Sequence, residues 1–313
     1  MPAPRAALQT LSACKNTGAR VTLPFFFLEF MTGLASAASL FLLAVGLSLI
    51  FGALGIVNFA HGSFFALGAY FLFAMTHGDA AGFWHYLLLA VAASLVVGAV
   101  VERVFIRRVL NRAEHYQILL TYALLLIIED VSKICFGADY KSIGMPKGFE
   151  MPVLMLGIPF PSYYLGLVGL AAAAALLLWL FLHRTRYGTL VRAVTQDREM
   201  LEALGVNVPL LFTVIFAVGI GLAGFGGAVS LPLQSISTGV AVDAVISAFI
   251  VVVVGGLGSL WGTLLAAILI GEIQAFGALV LPEFSIVFAY VLMAAVLLFR
   301  PWGLLGRPPT VRT

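Results

Sequence analysis

Apolar residues run through this chain in long blocks, and the polar positions that interrupt them are few. No Asp, Glu, Lys or Arg occurs from Phe30 to Gly78, from Met151 to His183, from Ala203 to Val242, or from Ala244 to Gly271. A helix needs roughly 20 apolar residues to cross the hydrocarbon core of a bilayer, so each block holds one or two crossings. A large soluble core would need a polar face on each segment, and these have none. The pattern predicts about eight membrane-spanning helices, near Gly33–Ile50, Phe59–Met75, Phe83–Val101, Tyr116–Phe136, Tyr163–Leu182, Leu210–Leu231, Leu260–Val280 and Phe284–Phe299. A ninth piece, Ala244–Gly256, is short and ends in Gly255 and Gly256. Apolar runs of about 10–14 residues are more often re-entrant or partly buried than full crossings. This piece is therefore read as a re-entrant or broken segment. Because lipid leaves no water for free backbone groups, every span must be helical or sheltered inside the bundle.

Composition fixes the class. Of 313 residues, 62% are hydrophobic and 10% are charged, with a mean hydropathy of +1.10. Soluble domains carry roughly 25% charged residues. The fold class is an all-α polytopic membrane protein: an N-terminal tail over 1–22, one transmembrane domain over 23–307 and a C-terminal tail over 308–313. Cys14 and Cys135 have no CxxC or histidine-rich context, which argues against a disulfide or metal site. Arg5, Lys15 and Arg20 precede an apolar run from Leu23. That resembles the charged region of a signal peptide, but the run continues past any cleavage point, which favours a retained anchor. The net charge of +3 does not point to nucleic acid, because the basic residues sit in short loops between spans.

Those loops set the orientation. One connection carries Arg103, Arg107, Arg108 and Arg112, the next basic one Arg184, Arg186, Arg192 and Arg198, and the C-terminal end Arg300, Arg307 and Arg312. The intervening connections are short of arginine, and Lys141 and Lys147 are offset by Asp139 and Glu150. The positive-inside rule puts the three arginine-rich segments in the cytoplasm. Ala244–Gly256 must then carry the chain across. Parity leaves the N-terminus outside, against the pull of Arg5, Lys15 and Arg20, so the side of that end stays open.

The connection from about residue 185 to 209, TRYGTLVRAVTQDREMLEALGVNVP, is far more polar than its surroundings. Thr189 is read as a helix cap and Gly205 as a left-handed helix end. Leu190, Val194, Leu201 and Leu204 share one face at helical spacing, while Arg192, Gln196, Arg198 and Glu202 point elsewhere. Asp197 interrupts that face and is placed to cap a second short helix, with Glu199 in its first turn. Two short helices on the membrane surface follow, either resting in the headgroups or docking a cytoplasmic partner.

Here the chain resembles a known family. The pattern G-x-x-x-R-A-V-x-x-D-x-E-x-x-x-x-L-G-V-N, Gly188 to Asn207, with Gly188, Arg192, Ala193, Asp197, Glu199, Leu204 and Gly205, is similar to the coupling loop of ABC-importer permeases of the branched-chain amino acid (Liv) type. Gly46–Tyr70, with its core N-F-A-H-G, Val253–Gly262 (VVGGLGSLWG) and Arg300–Gly306 (RPWGLLG) resemble three further motifs of that family. The match runs from about Gly33 to Arg307 and fits the LivH-like half better than the longer LivM-like half. Two departures bear on the cargo: Ser63 stands where the family often has an acidic residue, and Trp261 where some members have proline. The resemblance implies half of a translocation path in the bacterial inner membrane. Its implied partners are two ATPase subunits, a homologous LivM-like second permease and a periplasmic solute-binding protein. The residues agree on one point: none of Lys15, Lys133, Lys141 and Lys147 lies in a G-x-x-x-x-G-K-[ST] frame. The chain thus has no P-loop of its own, and ATP and Mg would be bound by the partner ATPases.

The remaining candidates are polar groups inside apolar sequence. Asn58 and His61, flanked by Gly52, Gly55 and Gly62, sit between two spans and either hold a helix break together or touch cargo. Glu129 and Asp130 are spaced to pair with Lys133, as part of the path or as an interfacial cluster. Gln234, Ser235, Ser237 and Asp243 surround the start of the short piece, as an outer vestibule or an ordinary loop. Glu272 and Gln274 are placed to face a subunit interface, and the glycines from Gly219 to Gly227 to let helices approach. No metal cluster, nucleophile–base pair or cofactor motif is visible. A channel or secondary transporter for a small polar solute such as urea or an amide is the rival reading, and it has no need of the Gly188–Asn207 segment. An intramembrane enzyme would need a catalytic pair at one depth.

Overall fold

The computed structural model describes residues 23–306; Arg5, Cys14, Lys15, Arg20, Arg307 and Arg312 lie outside the described residues. Each predicted span folds as a helix. In chain order the helices are α1 (Leu23–Leu54), α2 (His61–Thr76), α3 (Phe83–Val101), α4 (Glu114–Phe136), α5 (Ser162–Arg184), two short helices α6 (Arg186–Val194) and α7 (Arg198–Ala203), then α8 (Val208–Ser230), α9 (Val240–Gly255), α10 (Leu260–Val280) and α11 (Ser285–Phe299). A π-helical turn, Glu102–Ile106, extends α3 as far as Val109. By length and composition alone, α1, extended α3, α5, α8 and α10 suffice to cross a membrane. The helix α4 is as long as α5 but carries Glu129, Asp130 and Lys133. A small antiparallel hairpin, β1 (Val153–Met155) with β2 (Ile158–Phe160), lies in the connection between α4 and α5. It turns through Leu156 and Gly157, both at positive φ, and is the one sheet among the described residues.

The long helices α1 and α8 form the centre, and α2, α3, α9 and α10 pack around them. Hydrophobicity drives helices into lipid but not against one another, so small residues decide where they meet. Gly68 lies on Gly224, and a Cβ on Gly227 would overlap the Phe65 carbonyl. The glycine run of α8 is thus the surface that α2 crosses. The helices α4, α5 and α11 are peripheral and turn leucine, valine and isoleucine outward.

Two segments interrupt the bundle. After Leu54 the chain runs non-helically through residues 55–60 before α2 begins. His61 Nε2 lies 2.9 Å from the Leu43 carbonyl, about 16 Å along α1 from Leu54 at the usual helical rise. So α2 starts at mid-depth. The freed Val57 carbonyl accepts a hydrogen bond from Thr121 Oγ1 of α4 (3.2 Å), and Phe59 packs on Tyr122 and Phe249. The second interruption precedes α9, whose 16 residues begin beside Gly62, next to the Ala241 carbonyl. The loop over residues 231–239 covers the rest of that crossing, tied at Ile236 to Lys141 by two hydrogen bonds of 2.8 Å. The short piece is therefore a broken crossing and not a re-entrant hairpin: α9 continues to the far end.

Candidate functional site

The first two arginine-rich segments and Arg300 of the third gather at one end. Arg107 Nη2 donates to the Pro209 carbonyl (3.0 Å), and Arg198 Nη1 to Asn111 Oδ1 (3.1 Å). The C-terminal RPWGLLG docks on the VVGGLGSLWG turn, where Leu304 N donates to the Val254 carbonyl (2.8 Å) and Leu305 N to the Gly255 carbonyl (3.1 Å). Gly256, at φ 103°, has Gly306 N 2.5 Å from where a Cβ would be. A left-handed backbone and that closeness both require glycine.

At this end, α6 and α7 lie across the termini of α1 and α8. Thr185 caps α6 by accepting from Gly188 N (3.0 Å), whereas Thr189, read as the cap, lies inside the helix. A capping residue must stand before the first turn, and α6 starts earlier than its hydrophobic pattern. Gly188 is buried where a Cβ would meet the Phe181 and Leu182 carbonyls, so it lets α6 fold back on α5. Asp197 caps α7 through Met200 N (2.9 Å), with Glu199 in the first turn. Gly205, at φ 80°, ends it, and Val206 N returns to the Leu201 carbonyl. Val191, Val194 and Leu201 bury against Ala53, Val208, Leu211, Phe212 and Ile215. Leu204, expected on that face, is 72% exposed: the chain breaks between Val194 and Arg198 into two helices, so the spacing of one continuous helix does not carry through to Leu204. Arg192, Asp197, Glu199 and Leu204 thus face outward with Tyr187 and Met200, while Ala193 is half-buried.

Away from this end, a cavity of about 410 Å³ opens between α1, α5, α8, α9 and α10. Gln234 and Asp243 line it, joined by Ser36, Ser39, Ser230, Ser247 and Gln274. Ser39 and Ser230 are hydrogen-bonded (2.7 Å), and Leu40, Leu43 and Leu167 supply the apolar wall. A second void of about 580 Å³ between α1, α5 and α10 is walled by Ala, Leu, Val, Ile, Phe and the tryptophans Trp179 and Trp261. It offers little for a polar solute to bind.

Asn58 and His61 are fully buried at the break and line neither void. His61 reaches Leu43, whose carbonyl already belongs to α1, while the side-chain amide of Asn58 finds no hydrogen-bond partner among the described residues. The break's freed carbonyl is met by Thr121 instead. Glu129 and Asp130 pair with Lys133 at 3.2 and 3.3 Å. Asp130 points outward, and Glu129 lines a pocket of about 10 Å³ with Ser63, Tyr70, Ser132, Ser237 and Thr238. Such a space holds about one water. Glu129 thus brings a carboxylate to the pocket lined by Ser63. Gln274 joins the large cavity, whereas the carboxylate of Glu272 is shielded against Gly33 of α1, with no hydrogen-bond partner among the described residues. Ser235 is exposed in the loop.

Sequence reading missed one cluster. Glu102, 1% exposed, accepts from Arg107 Nε (3.2 Å) and Nη2 (3.0 Å) and from Thr213 Oγ1 (2.6 Å). It ties the π turn after α3 to α8. The available signal was a glutamate five residues before an arginine at the end of an apolar run, a spacing that an α-helix does not pair.

Residues 30–299 match the family described as branched-chain amino acid transport system / permease component. The chain is 31% identical over 296 residues to the high-affinity branched-chain amino acid transport system permease protein BraD of Pseudomonas aeruginosa, covering 90% of this chain and 95% of that protein. It is 24% identical over 302 residues to LivH of Escherichia coli, covering 91% and 96%, and 27% identical over 311 residues to LivM of the same organism, covering 91% and 72%. Both carry the same description as high-affinity branched-chain amino acid transport system permease proteins. No solved structure matches the chain.

Proposed function

The chain belongs to the branched-chain amino acid transport system permease family, and from that premise we propose that it forms half of the translocation path of an ATP-driven ABC importer. The observation that carries this reading is a mechanical connection. The exposed helices α6 and α7 rest on the ends of α1 and α8, and those two helices wall the large cavity with Ser36, Ser39 and Ser230. A push on Arg192, Asp197, Glu199 or Leu204 reaches the cavity through two rigid helices.

With no P-loop in the chain, ATP and Mg are bound by two separate ATPase subunits docked at the arginine-rich, cytoplasmic end. The similarity to both LivH and LivM supports a homologous second permease that completes the path. A periplasmic binding protein delivers branched-chain or related hydrophobic amino acids at the opposite end, across a bacterial inner membrane. Asn58 and His61, fully buried and lining neither void, lie off the route of the cargo. The channel or secondary-transporter alternative leaves α6 and α7 without a role.

Reconstitution of this chain with both ATPases, the second permease and the loaded binding protein tests the reading. Asp197→Ala removes a cap worth about 1 kcal/mol, frays α7, and is expected to leave ATP hydrolysis running while uptake falls. Glu199→Ala should act in the same direction. Solute uptake by the purified chain alone in liposomes, without ATP, would overturn the proposal.

A further inference from the structure

Of the described residues that line the large cavity, Asp243 is the one that carries charge. It lies in the first turn of α9, and no Lys, Arg or His among the described residues stands within ion-pair distance of it. Its helix start needs no further anion, because a carboxylate in the first turn already complements the partial positive charge there. Around it are neutral oxygens: the amides of Gln234 and Gln274 and the hydroxyls of Ser36 and Ser247. Leu40, Leu43, Leu167 and Leu233 complete the wall.

We propose that Asp243 is the counter-charge for the ammonium group of the solute, so that the cavity admits ammonium-bearing solutes and turns back anions of similar size. The proposal rests on the permease reading and names what its cavity selects. An ammonium group brings three donors and a unit positive charge, and this cavity holds acceptors and a single negative charge. A carboxylate without an ammonium group meets repulsion from Asp243 and no cation. The aliphatic side chain of an amino acid has the leucine wall to lie against. Selection by charge here adds to whatever the binding protein has already chosen.

The test uses the whole complex in liposomes, with leucine as the probe. Asp243→Asn keeps the shape and removes the charge; Asp243→Glu keeps the charge. The asparagine variant is expected to slow ATP-driven leucine uptake by roughly tenfold or more, the scale of losing a charge-assisted contact. The glutamate variant, which keeps the charge, recovers most of the uptake. Wild-type uptake by Asp243→Asn overturns the proposal, as does equal impairment of both variants. Failure of the asparagine complex alone to assemble also overturns it, since the charge would then serve the fold. A wild-type complex that hydrolyses ATP yet moves no amino acid removes the transport reading itself, and this proposal with it.

Discussion

Arg107 holds a carboxylate that water cannot reach. Glu102 is buried, and two of its three hydrogen bonds come from the Arg107 guanidinium. Arg107→Ala leaves that charge with Thr213 alone, and breaking a buried pair from one side costs on the order of 3 kcal/mol. The expected outcome is a clear fall in thermal stability of the detergent-solubilised protein, largely recovered by adding Glu102→Gln. Equal stability of the single and double variants would refute the pairing. This cluster was illegible in the sequence because Thr213 lies 111 residues from Glu102, and nothing in either segment announces the other. Asp197 and Gly205 were legible because a cap and a left-handed helix end are each decided within four or five residues. Leu204 misled because its spacing fits one continuous helix, whereas the chain breaks that helix between Val194 and Arg198.

Helices were predictable where length and lipid leave one solution. Apolar patterning predicts eight spans, and each is a helix whose ends the structure shifts by at most four residues, except that α1 starts at Leu23 instead of Gly33; five of the helices suffice in length and composition to cross a membrane. Gly52, Gly55 and Gly62 around Asn58 and His61 point to a helix break; what periodicity could not show is how deep α2 begins, because that depth is set by the contact of His61 with Leu43 of α1. The pairing of the last two motifs was equally hidden, since it runs through backbone groups. That pairing makes an element-scale prediction. Gly303 takes φ 79° beside Gly256, and a side chain there adds strain of about 1–3 kcal/mol. Gly303→Val is expected to lift the C-terminal segment from the α9–α10 turn, so limited proteolysis should clip near residue 300 faster than in the wild type, while Leu305→Ala, which keeps the backbone free to bond, stays protected.

At the scale of the molecule, α1 and α8 carry α6 and α7 at one end and wall the polar cavity at the other. Composition showed that the chain crosses a bilayer many times; only the packing shows that one pair of helices links the two sites. The early start of α2 has a consequence for how the protein is made. Residues 61–76 leave the ribosome long before residues 208–255, yet the sixteen-residue helix they form is shorter than the roughly 20 residues that hold a segment in lipid unaided, and its glycine face fits only α8 and α9. During synthesis this segment waits without its partners. Chains released before residue 208 are expected to leave a tag inserted at Asp79 on the side of synthesis in a substantial fraction of molecules, and chains completed past residue 255 to carry it across. A tag fully translocated in the short chains would show that α2 inserts alone; the expected result makes biogenesis an ordered process, in which the second half of the chain pulls the first into place.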